Sequence, residues 1–174
     1  ARVLSYDYYT YSHSVNVCLY AIAIGKKLSL SDSELSELAH GAILHDIGKS
    51  KISDKILNKE GPLDEAEFET MKTHTTVGEA ILEKLGEKSQ IILDSVAYHH
   101  EKLDGGGYPK GLKDGEIPYY AQIIAVADVF DALTTKRSYK DALGSFAALR
   151  VMRDKMEGHL AQKPLNALIL SFRP

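Results

Sequence analysis

The sequence predicts an all-α fold, a bundle of about seven helices interrupted by one long glycine-rich loop. Three observations lead there. Apolar residues recur at three- and four-residue spacing through most of the 174 residues, the period of a helix with one buried face. No run of alternating β-branched residues is bounded by hairpin turns, so strand signals are weak. Ser31 and Glu34 form a capping-box pair just before an apolar-periodic stretch, which marks a helix start.

The first helix is expected over about residues 7–28, where His13 shares a stripe with Val17, Tyr20 and Ile24. The second runs from Ser31 to near Asp46, with Leu35, Leu38, Ala39 and Ala42 inward. Helical stretches over residues 64–71 and 75–85 follow, broken near Thr73, and His74 aligns with Gly78, Ile81 and Leu85. Residues 89–100 carry Ile92 and Val96 inward and end on His99 and His100. Adjacent helical residues project about 100° apart, so both histidines can face one partner only where the helix stops. The loop to Pro118 holds Gly105, Gly106 and Gly107, which permit close approach of the backbone to other groups. Helices over residues 119–135, 145–157 and roughly 164–172 complete the chain.

Composition narrows the function classes. Hydrophobic content of 44% and charged content of 26% are ordinary for a globular protein. A net charge of −3 speaks against an extended nucleic-acid footprint, yet leaves room for a compact phosphate-bearing ligand. The single cysteine, Cys18, excludes an internal disulfide framework and fits a reducing compartment. Set among Val15, Leu19 and Ile22, it reads as a core residue. No apolar run approaches the roughly 20 residues of a membrane span, and no signal peptide is expected. The chain is read as a single domain, residues 1–174, excised from a longer protein; loss of an initiator methionine is the plainer alternative.

The polar residues on the inward stripes carry the functional signal. His13, His45, Asp46, His74, His99, His100 and Asp128 all fall on apolar faces, the last among Ala121, Ile124, Ala125 and Ala132. One such histidine is more often a hydrogen-bonded core residue than a ligand. Two inward carboxylates are harder to explain, because an unpaired buried charge is very costly and no Lys or Arg shares those stripes. A metal centre satisfies all seven. Five imidazoles and two carboxylates exceed the four to six positions of one ion, so they suit two ions bridged by a shared carboxylate. Without cysteine ligands, the donor set fits iron or manganese, with zinc, nickel or cobalt as other occupants. Two such ions produce a bridging hydroxide and clamp an oxyanion, as in phosphate-ester hydrolysis. His40 and His159 fall on polar faces and are expected to be solvated.

These residues also match a family. His45-Asp46-Ile47-Gly48-Lys49 resembles the HDxGK signature of HD-domain phosphohydrolases. His99-His100-Glu101 followed by Asp104-Gly105-Gly106-Gly107-Tyr108-Pro109 resembles the HHExxDGxGYP motif of the HD-GYP subfamily. The run from Ala127 to Thr134, which holds Asp128 and Asp131, extends the likeness, and so does Arg137-Ser138-Tyr139-Lys140, similar to RPYK. The resemblance implies an HD-domain helical bundle that hydrolyses cyclic di-GMP to pGpG, and in many members on to GMP, through a dinuclear metal-bridged hydroxide. By motif, His13, His45, Asp46 and Asp128 would hold one metal, and Asp46 would bridge to a second held by His74, His99 and His100. Asp46 and Lys49 would be the catalytic pair, with Lys49 on the substrate phosphate. Gly107, Tyr108, Pro109, Asp131, Arg137 and Lys140 would contact the dinucleotide. It further implies a bacterial cytoplasmic protein with an upstream sensory or receiver domain.

Three positions depart from the family pattern. Tyr9 stands where some members carry a glutamate for a third metal, so two ions are expected. Ser138 replaces the proline of RPYK, and the segment at Gly158-His159 strays from GxHFDP. Two alternatives stay open: a phosphodiesterase of another cyclic dinucleotide such as cyclic GMP-AMP, and a sensor that binds the dinucleotide without cleaving it.

Overall fold

The computed structural model describes residues 2–136 and 141–172, the stretch before residue 11 by its backbone alone. Its α-helices are α1 (Arg2–Lys27), α2 (Asp32–Leu44), α3 (Asp54–Leu57), α4 (Glu65–Lys72), α5 (His74–Lys84), α6 (Gln90–Tyr98), α7 (Tyr119–Thr134), α8 (Ser145–Lys155) and α9 (Gln162–Ser171). A 3-10 turn, Ile47–Lys51, links α2 to α3. The described residues contain no strand, only an isolated bridge between Asp104 and Lys113. The all-α expectation holds, with more and shorter pieces than about seven helices: α3 and the 3-10 turn are too short to show a period in sequence.

Helix α7 is central because it is apolar almost all round. Ala121, Ile123, Ile124, Val126, Ala127 and Phe130 are fully buried on it. It packs against α1, α6, α8 and α9. Val17, Ala21 and Ile24 of α1, Leu38 and Ala42 of α2, and Met152, Leu165 and Leu168 from the C-terminal helices close the main core. Each large aliphatic side chain buried there contributes roughly 1.5–3 kcal/mol. A smaller cluster of Leu82, Ile92, Leu93 and Val96 joins α5 to α6.

Local chemistry sets the helix ends near the site. The Ser31–Glu34 capping box forms, with Glu34 N–H donating to Ser31 Oγ at 3.3 Å and Ser31 N–H to Glu34 Oε2 at 2.8 Å. A second box, Asp64 with Glu67, starts α4. Helix α2 ends at Leu44, so His45 is its C-cap and Asp46 already leaves helical geometry, with φ −100 and ψ 10.

Two inward assignments shift. Leu85 is 76% exposed, because α5 stops at Lys84 and Gly86 turns the chain with φ +92, so Leu82 takes the buried place. Cys18 is only partly buried at the margin of the core, and its neighbour Leu19 is 59% exposed.

Candidate metal centre

Five elements bring their polar residues to one place. His13 comes from α1, His45 and Asp46 from the end of α2, His74 from the first residue of α5, His99 and His100 from the end of α6, and Asp128 from α7. Two sets of potential ligand atoms lie together, Asp46 with His74, His99 and His100, and His13 with His45 and Asp46. Asp46 belongs to both. Its Oδ1 is 3.3 Å from His74 Nε2 and its Oδ2 is 3.4 Å from His45 Nε2. Asp128 Oδ1 lies 3.2 Å from His13 Nε2. Ligand atoms held about 2.0–2.2 Å from a common ion fall roughly 3–3.4 Å from one another, so these spacings suit metal donors.

The buried polar atoms supply a stronger test. His45 Nε2, Asp46 Oδ1, His74 Nε2 and His99 Nε2 are buried with no hydrogen-bond partner among the described residues. Leaving such a group unsatisfied costs about 1–3 kcal/mol. Each imidazole meanwhile uses its other nitrogen. Nδ1 of His45 lies 2.6 Å from Ala42 O, Nδ1 of His74 2.6 Å from Met71 O, and Nδ1 of His99 3.0 Å from Val96 O. A carbonyl can only accept, so Nδ1 carries the proton and Nε2 presents its lone pair to the centre. This is the arrangement of metal-ligating histidines. The residues therefore fit divalent metal binding.

The electrostatics agree. Burial opposes ionisation of Asp46, yet the charges of His45 and Lys49 prevail and hold its carboxyl well below the usual range. The same contest, won by the hydrogen bond from His13, keeps Asp128 ionised. Burial pushes the imidazoles of His74 and His99 down, and that of His100 down to about 3. His13 is the exception: burial acts against its charge, but hydrogen bonds to Asp128 and Asp131 raise it to about 9. Ion-free protein at pH 7 thus holds a proton on His13 and none on His74, His99 or His100. Metal uptake at that pH should displace about one proton per chain. Titration calorimetry with Zn²⁺ in buffers of different ionisation enthalpy measures this, and zero release would remove His13 from the ligand set.

Lys49 Nζ lies 2.6 Å from Asp46 Oδ2, so a cation does face the buried carboxylate. No helical stripe shows it in sequence, because Lys49 comes from the 3-10 turn. Asp131 lies elsewhere than expected. It is fully buried, accepts from His13 Nδ1 at 2.7 Å through Oδ2, and accepts from Asn16 and Thr135 at 2.8 and 3.0 Å through Oδ1. With both oxygens engaged behind His13, it orients that ring and does not face a substrate.

The glycine loop folds back over α6. Tyr108 N–H donates to His100 O at 3.2 Å, and the Tyr108 ring lies 4.7 Å from that of His100. Pro109 follows through a cis peptide bond. Gly107 passes so close to the end of α6 that a Cβ there would sit 2.4 Å from Lys102 N. Tyr108, Pro109 and Gly107 thus wall the cluster on the His100 side. Glu101, which motif reading left without a role, holds this loop: its buried carboxylate accepts from Lys110 N–H at 2.7 Å and Leu112 N–H at 2.9 Å. The clue in sequence is an acidic residue directly before a loop whose N–H groups need acceptors.

His40 is exposed, as expected. His159 is only half exposed and pairs with Asp104 at 3.2 Å, so it is not simply solvated. Arg137 and Lys140 lie outside the described residues, as does the side chain of Tyr9. Among the described residues, no helix is long and apolar enough to cross a membrane.

Comparison with known proteins gives the family. The HD domain family profile matches residues 7–161. A Pseudomonas aeruginosa protein named "Cyclic di-GMP phosphodiesterase PA4108" is 38% identical over 168 residues, covering 97% of this chain and 40% of that protein. The Vibrio cholerae "3'3'-cGAMP-specific phosphodiesterase 3" is 42% identical over 156 residues, covering 90% of this chain and 33% of that protein. This chain therefore spans well under half the length of these relatives. Among solved structures, Bd1817, an HDG"Y"P protein from Bdellovibrio bacteriovorus, aligns with TM-score 0.73 at 24% identity, over 92% of this chain and 52% of its own, and supports the fold alone. A cyclic GMP-AMP specific phosphodiesterase of V. cholerae aligns with TM-score 0.58 at 33% identity, over 95% of this chain and 37% of that one. The chain belongs to the HD domain family, in its HD-GYP branch.

Proposed function

We propose that this chain is a metal-dependent phosphodiesterase that hydrolyses a cyclic dinucleotide, cyclic di-GMP first, to the linear dinucleotide pGpG, with GMP as the further product. The observation that carries this reading is the double role of Asp46: one buried carboxylate faces two histidine sets, in which Nε2 of His45, His74 and His99 has no hydrogen-bond partner among the described residues. We assign His13, His45, Asp46 and Asp128 to one divalent ion and Asp46, His74, His99 and His100 to the other, with iron or manganese the best match to the donors. When bound, such ions supply Lewis acidity to an attacking water and neutralise charge on the phosphate.

The chain's own groups do the rest. Asp131 and the backbone carbonyls fix the imidazole tautomers. Lys49, 30% exposed at the edge of the cluster, can leave Asp46 to meet a phosphate oxygen. Tyr108 and Pro109 bound the space beside His100 for the nucleotide. Arg137 and Lys140 are assigned to the far phosphate or base on motif likeness. Relatives named for both cyclic di-GMP and cyclic GMP-AMP support the substrate class, and the latter is the second reading for the preferred base. The sensor reading loses ground because no ligand position is missing. We further propose that the domain works in the bacterial cytoplasm behind a sensory or receiver domain; one relative is named as a response regulator.

The test is anaerobic purification, elemental analysis, and assay against cyclic di-GMP, cyclic GMP-AMP and cyclic di-AMP. The expected result is about two metals per chain, since Tyr9 replaces a third-ion glutamate, with cleavage of at least one guanine-containing dinucleotide. A stoichiometry near three would overturn the two-ion assignment. Metal-loaded protein that cleaves none of the three would overturn the enzymatic reading.

A further inference from the structure

A recess of about 160 Å³ opens beside the metal centre, between α7, the end of α6 and the link from α8 to α9. It has His100 and Asp128 on one side, so it is continuous with the centre. Its far walls are Ala125 and Val129 from α7 and Met156 and Leu160 from the link. Ala125, Asp128 and Val129 stand at i, i+3 and i+4, so the face that presents Asp128 also forms the apolar wall. A small residue at Ala125 leaves the depth. Pockets for drug-sized ligands run to about 300–1,000 Å³, so this one suits a single ring system and not a whole dinucleotide.

The frame is built rather than left over from loose packing. Leu103 N–H donates to His159 O at 3.1 Å, and His159 Nε2 meets Asp104 Oδ2 at 3.2 Å. These contacts tie the outer wall to the glycine loop, which Glu101 pins from beneath. Lys102 is exposed, the buried polar residues His99 and Glu101 lie on the side of the centre, and the opposite walls are apolar. That order matches a nucleobase, a flat apolar face with a polar edge, entering behind its own phosphate.

We propose that this recess is a nucleobase subsite: with the scissile phosphate at the metals, the attached base packs against Val129, Met156 and Leu160, under the His159–Asp104 bridge. The inference rests on the phosphodiesterase reading and gives it a binding determinant outside the family motifs.

The test has two parts. In zinc-loaded protein with ¹³C-methyl methionine, titration with GMP should move the Met156 methyl upfield by the base's ring current. Fully buried Met152 serves as the internal control, and ribose 5-phosphate should leave Met156 in place. Second, Val129→Phe narrows the recess and should raise KM for the cleaved cyclic dinucleotide about tenfold with kcat little changed. The ratio of kcat/KM for the dinucleotide to that for bis(p-nitrophenyl) phosphate should fall by the same factor. An unmoved Met156 methyl at saturating GMP, or equal shifts with both ligands, overturns the subsite even if Val129→Phe fails to fold. So does an unchanged ratio in a folded variant. Wild-type protein that cleaves no cyclic dinucleotide would instead defeat the underlying reading.

Discussion

Asp46→Ala is expected to remove phosphodiesterase activity while the helical fold persists. Losing an outer partner of a metal ligand costs about 10–100-fold in metal affinity or activity. A carboxylate facing both histidine sets should exceed that, so the loss should pass ~100-fold. The metal content should fall with it, because the set of His74, His99 and His100 keeps no carboxylate and that of His13 and His45 keeps only Asp128: Asp46 Oδ1 faces His74 and His99, and Oδ2 faces His45 and Lys49. The fold should survive because the partner left behind, Lys49, is 30% exposed and can hydrate. Asp46→Asn sharpens the case: it keeps the shape but loses the charge and one acceptor oxygen, and it should also be inactive. Near-normal turnover in the alanine variant, with circular dichroism unchanged, would refute the shared-carboxylate mechanism.

What the sequence made legible, and what it did not, follows from the range of each interaction. Helices and inward histidines could be read because a 3.6-residue period places each side chain relative to its near neighbours. His13, His45, His74, His99, His100, Asp46 and Asp128 stand out as polar breaks in apolar stripes, and the structure brings them together. The supporting layer has no such local signal. Asp131 orients a ring 118 residues away, and Glu101 holds amides nine and eleven residues on, through contacts that exist only once the chain has folded. Local geometry misled in two places. The stripe of α5 points on to Leu85, which lies past the helix end, and the polar surroundings of His159 in sequence point to solvent although the glycine loop returns to meet it. The Lys49–Asp46 pair escaped because a 3-10 turn, not an α-helix, sets its direction.

Gly48→Ala should be the most damaging single-methyl change in the chain. A Cβ at Gly48 would stand 1.9 Å from His74 O and 2.7 Å from both His74 C and Gly78 N, all backbone atoms of α5. No rotamer relieves that clash, so the 3-10 turn and α5 must separate. Inserting a methyl into a packed core costs typically 1–3 kcal/mol, and a fixed backbone neighbour puts this case at the upper end, about 3 kcal/mol. For a domain of this size that lowers Tm by roughly 6–12 °C. The chemical consequence is larger. Asp46 precedes Gly48 by two residues and His74 begins α5, so separation widens the 3.3 Å gap between Asp46 Oδ1 and His74 Nε2. The set of Asp46, His74, His99 and His100 should lose its ion first, because α1 and α2 position His13 and His45 without α5. Metal content should therefore drop by about one ion per chain, with activity lost before the fold. Gly144→Ala is the control: no atom lies within 4 Å of its added Cβ, and its φ of −64 suits alanine. A Gly48→Ala protein with wild-type Tm and full metal content would mean that the turn and α5 part without cost, and that their contact does not set the spacing of the two histidine sets.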